Sequence, residues 1–495
     1  MGNFAKNLGS LLLSGEPCSM MESPSDDAVR TPLLPMLQRP RGGRLHLPAH
    51  GGGPGLPRAL QRLLRSRPGT WDLPELPEIG GPLEPEGAVQ ESQAWAAEAY
   101  GATHCWYGVN GATGMLQAAL LAMVKPGEAV LVPRNAHRSL IQACALGGLR
   151  PVLFDLPFLE DRGHVDAFDL SWISRVLASL GEQGDHPVAA VMVQPTYHGY
   201  ATDPSPLIQA FHQHGLPVLV DEAHGAHFLP RVDPGLPRSA LHAGADLVVH
   251  SLHKSSTGLG QTAVLWLQGE RVDAAAVQRT LGWLQTTSPS ALLLASCEAS
   301  LADWQSRSGR RTLSRRLQWA RALGDTLRAR QLPLLATTDP LRLVLHTAAI
   351  GVNGLDADEW LMDRGLVAEL PEPGCLTFCL GFAPRSRLAG LMERRWHQLR
   401  ESAGLRDPLP LFEPAPLPLL STTVMPVAEA WASSSRDVSW TDAIGAVSAQ
   451  LVCPYPPGIP LLIPGERLDS ERAHWLERQC RLWPGQISSR VKIVA

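Results

Sequence analysis

Lysine is rare in this 495-residue chain, which uses arginine for almost all of its positive charge. The only lysines are Lys6, Lys125, Lys254 and Lys492. An arginine cannot replace a lysine wherever the chemistry requires a primary amine. Lys254, which lies beside Ser251 and His253, is therefore a candidate for such chemistry.

Long apolar runs are also absent. No stretch approaches the roughly 18 apolar residues that a membrane-spanning helix needs. The short run from Leu8 to Leu13 lacks the flanks and cleavage site of a signal peptide, and Lys6 stands where N-myristoylation requires Ser or Thr. The sequence thus predicts no membrane partner.

The chain has neither clustered basic charge nor paired cysteine motifs. Its 43 basic and 47 acidic residues give a net charge of −4, and no basic run suggests a nucleic-acid partner. Of the eight cysteines, Cys375 and Cys379 are close in sequence but have no second ligand pair. We therefore expect reduced thiols, a cytoplasmic location and no metal site.

Alternating strands and helices predict an α/β fold with a mostly parallel sheet. Apolar runs at 129–132, 151–154, 189–193, 217–220 and 246–250 are separated by helical or loop stretches, which is typical of a sheet covered on both faces. Residues 1–28 are expected to form a flexible tail and 40–88 a Gly- and Pro-rich loop segment. The predicted domains are 29–310 (major), 311–402 (a smaller α/β domain) and 403–495 (a Pro-rich linker and closing segment).

Two segments carry the strongest chemical signal, VLVDEAHGAH (218–227) and GADLVVHSLHKS (244–255). Asp221 ends one predicted strand and Lys254 follows the next, so both lie at the carboxyl edge of the sheet, where ligands bind. A lysine can form an imine with an aldehyde, and a carboxylate can keep a pyridine nitrogen protonated. This pair predicts pyridoxal 5′-phosphate (PLP) as the cofactor.

Two other interpretations of the Asp-Glu-Ala-His segment are weaker. A helicase would need a phosphate loop of the form GxxxxGK[ST], which the chain lacks. Asp221, His224 and His227 could coordinate zinc, but no further ligand motif accompanies them.

The turn from Asn110 to Gly114 follows a strand and begins a helix, so its backbone N–H groups and Thr113 could hold a phosphate. An ordinary helix cap would look similar. Ser251 and His253 could bind the phosphate from the other side. His137 also follows a strand at the sheet edge and could stack on a cofactor ring, although a polar loop histidine would fit the pattern as well.

Taken together, these segments resemble the bacterial ornithine/lysine/arginine decarboxylases, fold-type-I PLP enzymes, in their short form. The resemblance covers about 30–490 and rests on LHLPAH, the NGAT turn, PRNAHRS, QPTYHGYATD, VDEAHGAHF, HSLHKS, QTTSPS and PYPPGIPLLIPGE, in that order.

The resemblance implies a role for each matching position. Lys254 would hold the cofactor, Asp221 would pair with its pyridine nitrogen, His137 would stack on the ring and Ala223 would face it from the other side. The residues expected around the phosphate are Ala112, Thr113, Ser251 and His253. Thr196 and His224 would lie near the ring oxygen or the substrate. The family also implies at least a homodimer, in which Thr287 and Ser288 reach the neighbour's phosphate.

The implied reaction is decarboxylation of a basic L-amino acid, with arginine preferred over lysine or ornithine. Glu466 and Glu75 are candidates for binding the substrate's distal cation. The chain departs from the family at Ala49 and Gly51, where Gly and Lys are usual, and at Ala112, where a hydroxyl is common. Another PLP reaction, such as aldol cleavage or amino transfer, and a non-catalytic PLP-binding regulator remain alternatives.

Overall fold

The computed structural model describes residues 45–183, 186–383, 385–404, 406–453, 460–483 and 485–495. The predicted tail at 1–28 and the apolar run at 8–13 lie outside these ranges. The strands are β1 (His104–Gly108), β2 (Ala129–Pro133), β3 (Arg150–Phe154), β4 (Phe158–Leu159), β5 (His164–Val165), β6 (Pro187–Val193), β7 (Val218–Asp221), β8 (Leu247–Ser251), β9 (Ala263–Leu267), β10 (Leu334–Leu335), β11 (Arg342–Leu345), β12 (Leu370–Glu372), β13 (Cys375–Cys379), β14 (Leu420–Thr422), β15 (Ser435–Ser439) and β16 (Arg490–Val494).

Helices alternate with most of these strands. They are α1 (Arg58–Leu64), α2 (Ala88–Tyr100), α3 (Gly111–Met123), α4 (Arg138–Gly147), α5 (Leu170–Gln183), α6 (Pro204–Gln213), α7 (Leu252–Ser255), α8 (Ala274–Leu284), α9 (Ala291–Gln305), α10 (Arg307–Ala329), α11 (Gly354–Met362), α12 (Leu388–Ala403), α13 (Val427–Ala432) and α14 (Ser470–Leu482). Several begin at a capping side chain: Asp203 accepts the Ser205 N–H at α6, and Ser306 accepts the Gly309 N–H at α10.

The main sheet has eight strands in the order β1-β9-β8-β7-β6-β2-β3-β14. The five central strands, β8, β7, β6, β2 and β3, are parallel, whereas β9 and β14 run antiparallel to their neighbours. This confirms the predicted α/β class with a mostly parallel sheet.

Both faces of this sheet are buried, as the apolar strands predict. Successive residues of β2 enter different cores: Leu131 packs in one hydrophobic cluster, while Val130 and Val132 pack in the other. Helices α3, α4 and α8 cover the second cluster, and α2, α5 and α6 cover the first. Because the side chains alternate, the strands can be apolar throughout without exposing a hydrophobic face.

The smaller α/β region has a four-stranded antiparallel sheet in the order β10-β11-β13-β12. The long helix α10 precedes it, and the boundary drawn from the sequence at residue 310 falls within the first turn of that helix. Helices α11 and α12 pack against this region and bury Leu361 and Trp396.

Two segments differ from the sequence-based expectation. The supposed loop at 40–88 contains α1, whose Leu60 is fully buried. The supposed linker at 403–425 contains β14, which pairs with β3 and extends the main sheet. Both elements are short and flanked by proline, so their sequence gives little periodic signal. Beyond β14, the closing segment has a hydrophobic core of its own around Trp440, Trp475 and Val491.

A segment of bends at 45–49 hydrogen-bonds to both α/β regions. The Ala49 N–H donates to the His253 carbonyl (2.9 Å), and the Ala49 carbonyl accepts the Phe382 N–H (2.7 Å). The Leu45 carbonyl likewise accepts the Cys379 N–H (2.7 Å). We call residues 45–49 the strap. It hydrogen-bonds to the Lys254 loop on one side and to the end of β13 on the other.

No helix among the described residues combines the length and apolarity required to cross a membrane. The seven cysteines in the described part of the chain are all free thiols, five of them buried.

Candidate active site

The carboxyl edge of the main sheet brings the chemically important residues together. Asp221 is the last residue of β7, Ser251 is the last residue of β8, and Lys254 lies in the short helix α7 that follows. Because β7 and β8 are parallel neighbours, the two ends meet at one edge. Asp221 interacts electrostatically with Lys254 and acts to raise the pKa of that lysine.

Lys254 is a largely buried amine in a polar pocket. Its Nζ lies 3.4 Å from Nε2 of His224. Burial lowers the pKa of Lys254 from its ordinary value, while the nearby carboxylates of Asp221 and Glu369 oppose that shift. The net effect is a lowered pKa, so the amine loses its proton more readily than an exposed lysine does.

The protonation of His224 is set by an arginine that sequence reasoning missed. Arg342, buried at the start of β11, places an Nη atom 3.1 Å from His224 Nδ1. A guanidinium can only donate, so Nδ1 accepts and the ring proton lies on Nε2. The Nε2–H then points towards the Lys254 amine 3.4 Å away, an arrangement that suits an accepting, unprotonated amine. Burial holds the pKa of His224 well below its usual range, and the positive charge of Arg342 lowers it further.

Asp221 and His137 interact electrostatically. Asp221 is buried, and its Oδ1 accepts the Ala223 N–H (3.1 Å). His137 caps α4, where its Nδ1 accepts the Ser139 N–H (3.3 Å). Burial lowers the pKa of His137, while Asp221 acts to raise it and Lys254 to lower it. The ring thus stands in the electrostatic field of both residues.

The groups expected to bind a phosphate are present at the start of α3. Asn110 makes no side-chain cap and the Gly111 N–H donates to the Gln261 carbonyl (2.8 Å), so the N–H groups of buried Ala112 and exposed Thr113 remain available to an anion. Gly111 has φ +69°, which allows the tight turn.

Beside that turn are buried polar atoms that lack partners. Both side-chain polar atoms of Gln285 are unpaired among the described residues, and a Cβ placed on Gly114 would lie 2.9 Å from Gln285 Nε2. In the segment that follows α7, the hydroxyls of Ser256 and Thr257 are also unpaired among the described residues. Buried polar atoms are seldom left without partners, so this set fits a bound anionic group such as a phosphate.

The side chains of His253 and Thr196 already make hydrogen bonds within the protein. His253 Nδ1 lies 3.1 Å from Ser251 Oγ, and burial lowers the pKa of His253 to about 4. Thr196 is buried, and its Oγ1 accepts the Tyr200 N–H (3.1 Å), so this hydroxyl already stabilises a turn.

A second pair missed by sequence reasoning is Tyr197 and Glu369. The Tyr197 hydroxyl donates to Glu369 Oε1 (2.5 Å), and Glu369 Oε2 accepts the N–H of Leu47 in the strap (2.8 Å). Tyr197 belongs to the QPTYHGYATD motif, which gave a partial signal. Nothing in the sequence pointed to Glu369 or Arg342, because the contacts that give them importance come from distant segments.

Glu466 has a different role from the one expected. It is buried and accepts two hydrogen bonds from Arg134 (2.6 and 3.0 Å) and one from Arg472 (3.3 Å). Its carboxylate also accepts the Ile463 N–H (2.9 Å). With both oxygens occupied by internal donors, Glu466 is not free to bind a substrate cation.

The remaining predicted residues lie at the surface. Glu75 is exposed on the loop between α1 and α2, and Thr287 and Ser288 are exposed after α8. The alternative zinc set is not assembled, because His227 lies 3.1 Å from Asp339 and His224 faces Lys254 and Arg342.

Comparison with known families identifies the chain's relatives. Residues 46–346 match the family model described as "Orn/Lys/Arg decarboxylase, major domain". Residues 419–480 match the one described as "Orn/Lys/Arg decarboxylase, C-terminal domain". The first match covers more than half of the chain and includes every residue of the carboxyl-edge site except Glu369.

Individual proteins give the same result. An arginine decarboxylase of Halalkalibacterium halodurans is 29% identical, with 88% of this chain and 90% of the relative covered. One of Bacillus subtilis is 28% identical, with 88% and 89% covered. The constitutive lysine decarboxylase of Escherichia coli has the same fold, with a TM-score of 0.71 at 18% identity over 84% of this chain and 74% of that one. The chain belongs to the Orn/Lys/Arg decarboxylase family and is an amino-acid decarboxylase.

Proposed function

We propose that this enzyme uses PLP to decarboxylate L-arginine and releases agmatine and CO₂. The observation that carries the proposal is a partly buried amine with a lowered pKa, Lys254, at the same sheet edge as a buried carboxylate, Asp221. Arginine is preferred over lysine or ornithine because the relatives at 29% and 28% identity are both named arginine decarboxylase.

The chain's own residues would divide the work among them. PLP, when bound, supplies the electron sink for the carbanion that loss of CO₂ leaves behind. Asp221 would keep the pyridine nitrogen protonated, and the Lys254 amine would bind the aldehyde carbon. His137 would lie against the ring, opposite Ala223. His224, fixed by Arg342, would hold the Lys254 amine in its neutral form until the cofactor arrives.

The phosphate would bind at the start of α3. Its first-turn N–H groups and the Thr113 hydroxyl would donate to it, together with the unpaired Ser256, Thr257 or Gln285 side chains. Ala112 contributes only its backbone N–H, so these other donors replace the hydroxyl that is common at that position.

We further propose that the enzyme is a cytoplasmic homodimer. Trp283 is 72% exposed at the end of α8, immediately before the exposed Thr287 and Ser288. A large aromatic exposed to this degree is a frequent anchor of a protein interface. In such a dimer Thr287 and Ser288 would approach the neighbour's phosphate. Glu75, on an exposed loop, stays a candidate for the distal cation only through a neighbouring subunit.

The decisive experiment measures amine and CO₂ release from arginine, lysine and ornithine by the purified enzyme. We expect agmatine to form fastest, and Lys254→Ala to lower kcat by at least about 10³-fold and to abolish the visible absorbance of the bound cofactor. The control is Lys125→Ala, which removes an exposed lysine and should retain full activity. A coloured wild-type protein that releases no amine from any of the three substrates would contradict the proposal.

A further inference from the structure

Four potential metal ligands converge in the protein interior, away from Lys254. They are His164 in β5, His198 in the turn after β6, Glu372 at the end of β12 and Cys375 at the start of β13. Each is at most 2% exposed. We call this group the interdomain tetrad, because the two histidines belong to the major region and the other two residues to the smaller one.

The spacing of the ligand atoms is close to that around a zinc ion. The four atoms lie within 4.8 Å of one another. Cys375 Sγ is 3.5 Å from His164 Nδ1 and 3.5 Å from Glu372 Oε2, and His164 Nδ1 is 3.8 Å from Glu372 Oε2. Tetrahedral Zn²⁺ with bonds of 2.0–2.3 Å separates neighbouring ligands by about 3.3–3.7 Å.

One contact is shorter than that spacing. His198 Nε2 lies 2.5 Å from Glu372 Oε2, the length of a hydrogen bond. A metal ion would replace this hydrogen bond, and the two atoms would have to separate by about 1 Å to take up tetrahedral positions. A small side-chain rotation of Glu372 is enough for such a change.

The charges of the tetrad also favour a cation. The other carboxylate oxygen, Glu372 Oε1, is buried and has no hydrogen-bond partner among the described residues. Such an atom is costly to bury unless something compensates it. Zn²⁺ together with the Glu372 carboxylate and a Cys375 thiolate gives a net charge of zero, with two neutral imidazoles completing four ligands.

A neighbouring tyrosine orients one of the histidines. His164 Nε2 lies 3.2 Å from the Tyr200 hydroxyl, which Arg162 approaches at 3.4 Å. When His164 Nε2–H donates to that hydroxyl, the lone pair is on Nδ1, the atom that faces Cys375. Metal-binding histidines usually have a partner of this kind for their second nitrogen. The rings of His164 and His198 are stacked, with centroids 3.7 Å apart and 13° between their planes, so one ring must rotate before both nitrogen lone pairs point at a single ion.

We propose that His164, His198, Glu372 and Cys375 bind one structural zinc ion that ties the smaller α/β region to the major one. All four positions are filled by protein ligands, which is typical of structural zinc and leaves no position for a reacting water. The Cys375 thiol gives its proton to solvent as the ion binds. The sequence predicted no metal because Cys375 lacks a paired cysteine, and the other ligands come from segments far away in the chain.

A cavity beside the tetrad offers a route for the ion. It has a volume of about 130 Å³ and is lined by His164 and Glu372 on one side and by Phe412 and Trp483 on another. The zinc would also stabilise the active site indirectly, because His198 follows Tyr197 and Glu372 lies three residues after Glu369. Tyr197 and Glu369 hydrogen-bond to each other, and Glu369 also accepts the Leu47 N–H of the strap.

The test measures metal content by mass spectrometry and does not depend on the cofactor or on activity. We expect about one zinc per chain in the wild type after dialysis against zinc and then metal-free buffer, and less than about a tenth of that in Cys375→Ser and His198→Ala. Cys144→Ser, which alters another buried thiol, is the matched control and should keep its zinc.

X-ray absorption spectroscopy of the wild type measures the zinc ligands directly, so this test does not depend on whether the variants fold. We expect one sulfur at about 2.3 Å and three nitrogen or oxygen ligands at about 2.0 Å around the zinc. Wild-type protein that retains no zinc would overturn the proposal. So would zinc with no sulfur ligand, or zinc that is retained in Cys375→Ser.

Discussion

At the residue scale, the active site depends on one amine with a lowered pKa. Burial lowers the pKa of Lys254, the charge of Arg342 adds to this shift, and the hydrogen-bond chain from Arg342 through His224 suits an accepting amine. The motif around Lys254 and Asp221 made this pair predictable from the sequence. Arg342 was not predictable, because arginine is common in this chain and the contact with His224 joins positions 118 residues apart.

The pKa of His253 has a consequence for stability. Its folded value of about 4 lies below the ordinary 6.5, so the unfolded chain binds more protons between these two pH values. Stability should therefore fall as the pH drops from about 6.5 towards 4, and His253 should contribute up to about 3 kcal/mol of that loss.

Urea unfolding of cofactor-free protein across this pH range checks the prediction. We expect His253→Asn to flatten the pH dependence, and His104→Asn, which changes an exposed histidine, to leave it as in the wild type. Equal slopes for the wild type and His253→Asn would show that the His253 ring is protonated as readily in the folded protein as in the unfolded chain.

At the element scale, the parallel sheet was the most predictable part of the fold. Every apolar run proposed as a strand forms one, with ends shifted by at most two residues, because a buried central strand must be apolar along its whole length. The short edge strand β14 was missed. Three residues in a Pro-rich stretch are too few to show an alternation of apolar and polar residues, and only the pairing with β3 defines them as a strand.

Glu466 connects the closing segment to the loop after β2, where Arg134 lies, and its buried ion pair predicts a structural effect. Glu466→Gln leaves Arg134 buried without its counter-ion, whereas Arg472 keeps Asp469, so unfolding free energy should fall by about 3–5 kcal/mol. The KM for arginine should stay within about twofold of the wild type, because the residue does not contact substrate.

Urea unfolding and steady-state kinetics on the same preparations measure both effects. Glu413→Gln, which breaks an exposed pair with Arg478, is the control and should cost less than about 1 kcal/mol. A large rise in KM with unchanged stability would instead restore Glu466 as a substrate-binding residue.

The strap also depends on one glycine. Gly381 has φ +59°, and a Cβ added there would lie 2.5 Å from the Ala49 carbonyl oxygen. Gly381→Ala should therefore cost about 2–4 kcal/mol, more than the 1–2 kcal/mol of backbone strain alone, and should reduce activity by displacing Ala49 from His253.

The matched control is Gly365→Ala. Gly365 has φ +76° but nothing within 4 Å of the added Cβ, so only the strain remains. Thermal unfolding and activity of the two variants separate the strain from the contact. Equal losses of stability and activity in the two variants would mean that Ala49 moves away from the added Cβ at no energetic cost.

At the scale of the whole molecule, the exposed Trp283 predicts assembly. Trp283→Glu should convert a dimer into a monomer in sedimentation experiments, because a charge would be buried at the interface. Activity should fall with it if Thr287 and Ser288 complete the neighbouring site. Leu482→Glu changes another exposed apolar residue, on α14, and should remain dimeric. A Trp283→Glu protein that sediments as the wild type does would place the interface elsewhere.

The position of the strap also decides how this enzyme can be attached to a surface or fused to another protein. A pull on the chain at residue 45 would act on the helix that carries Lys254, through the backbone contact between Ala49 and His253. At the carboxyl end, β16 pairs antiparallel with β15, and the Ala495 N–H donates to the Ser434 carbonyl. An affinity handle or immobilisation linker is therefore better placed after Ala495, where a pull on the chain is borne by that pair of strands and not by the helix that carries Lys254.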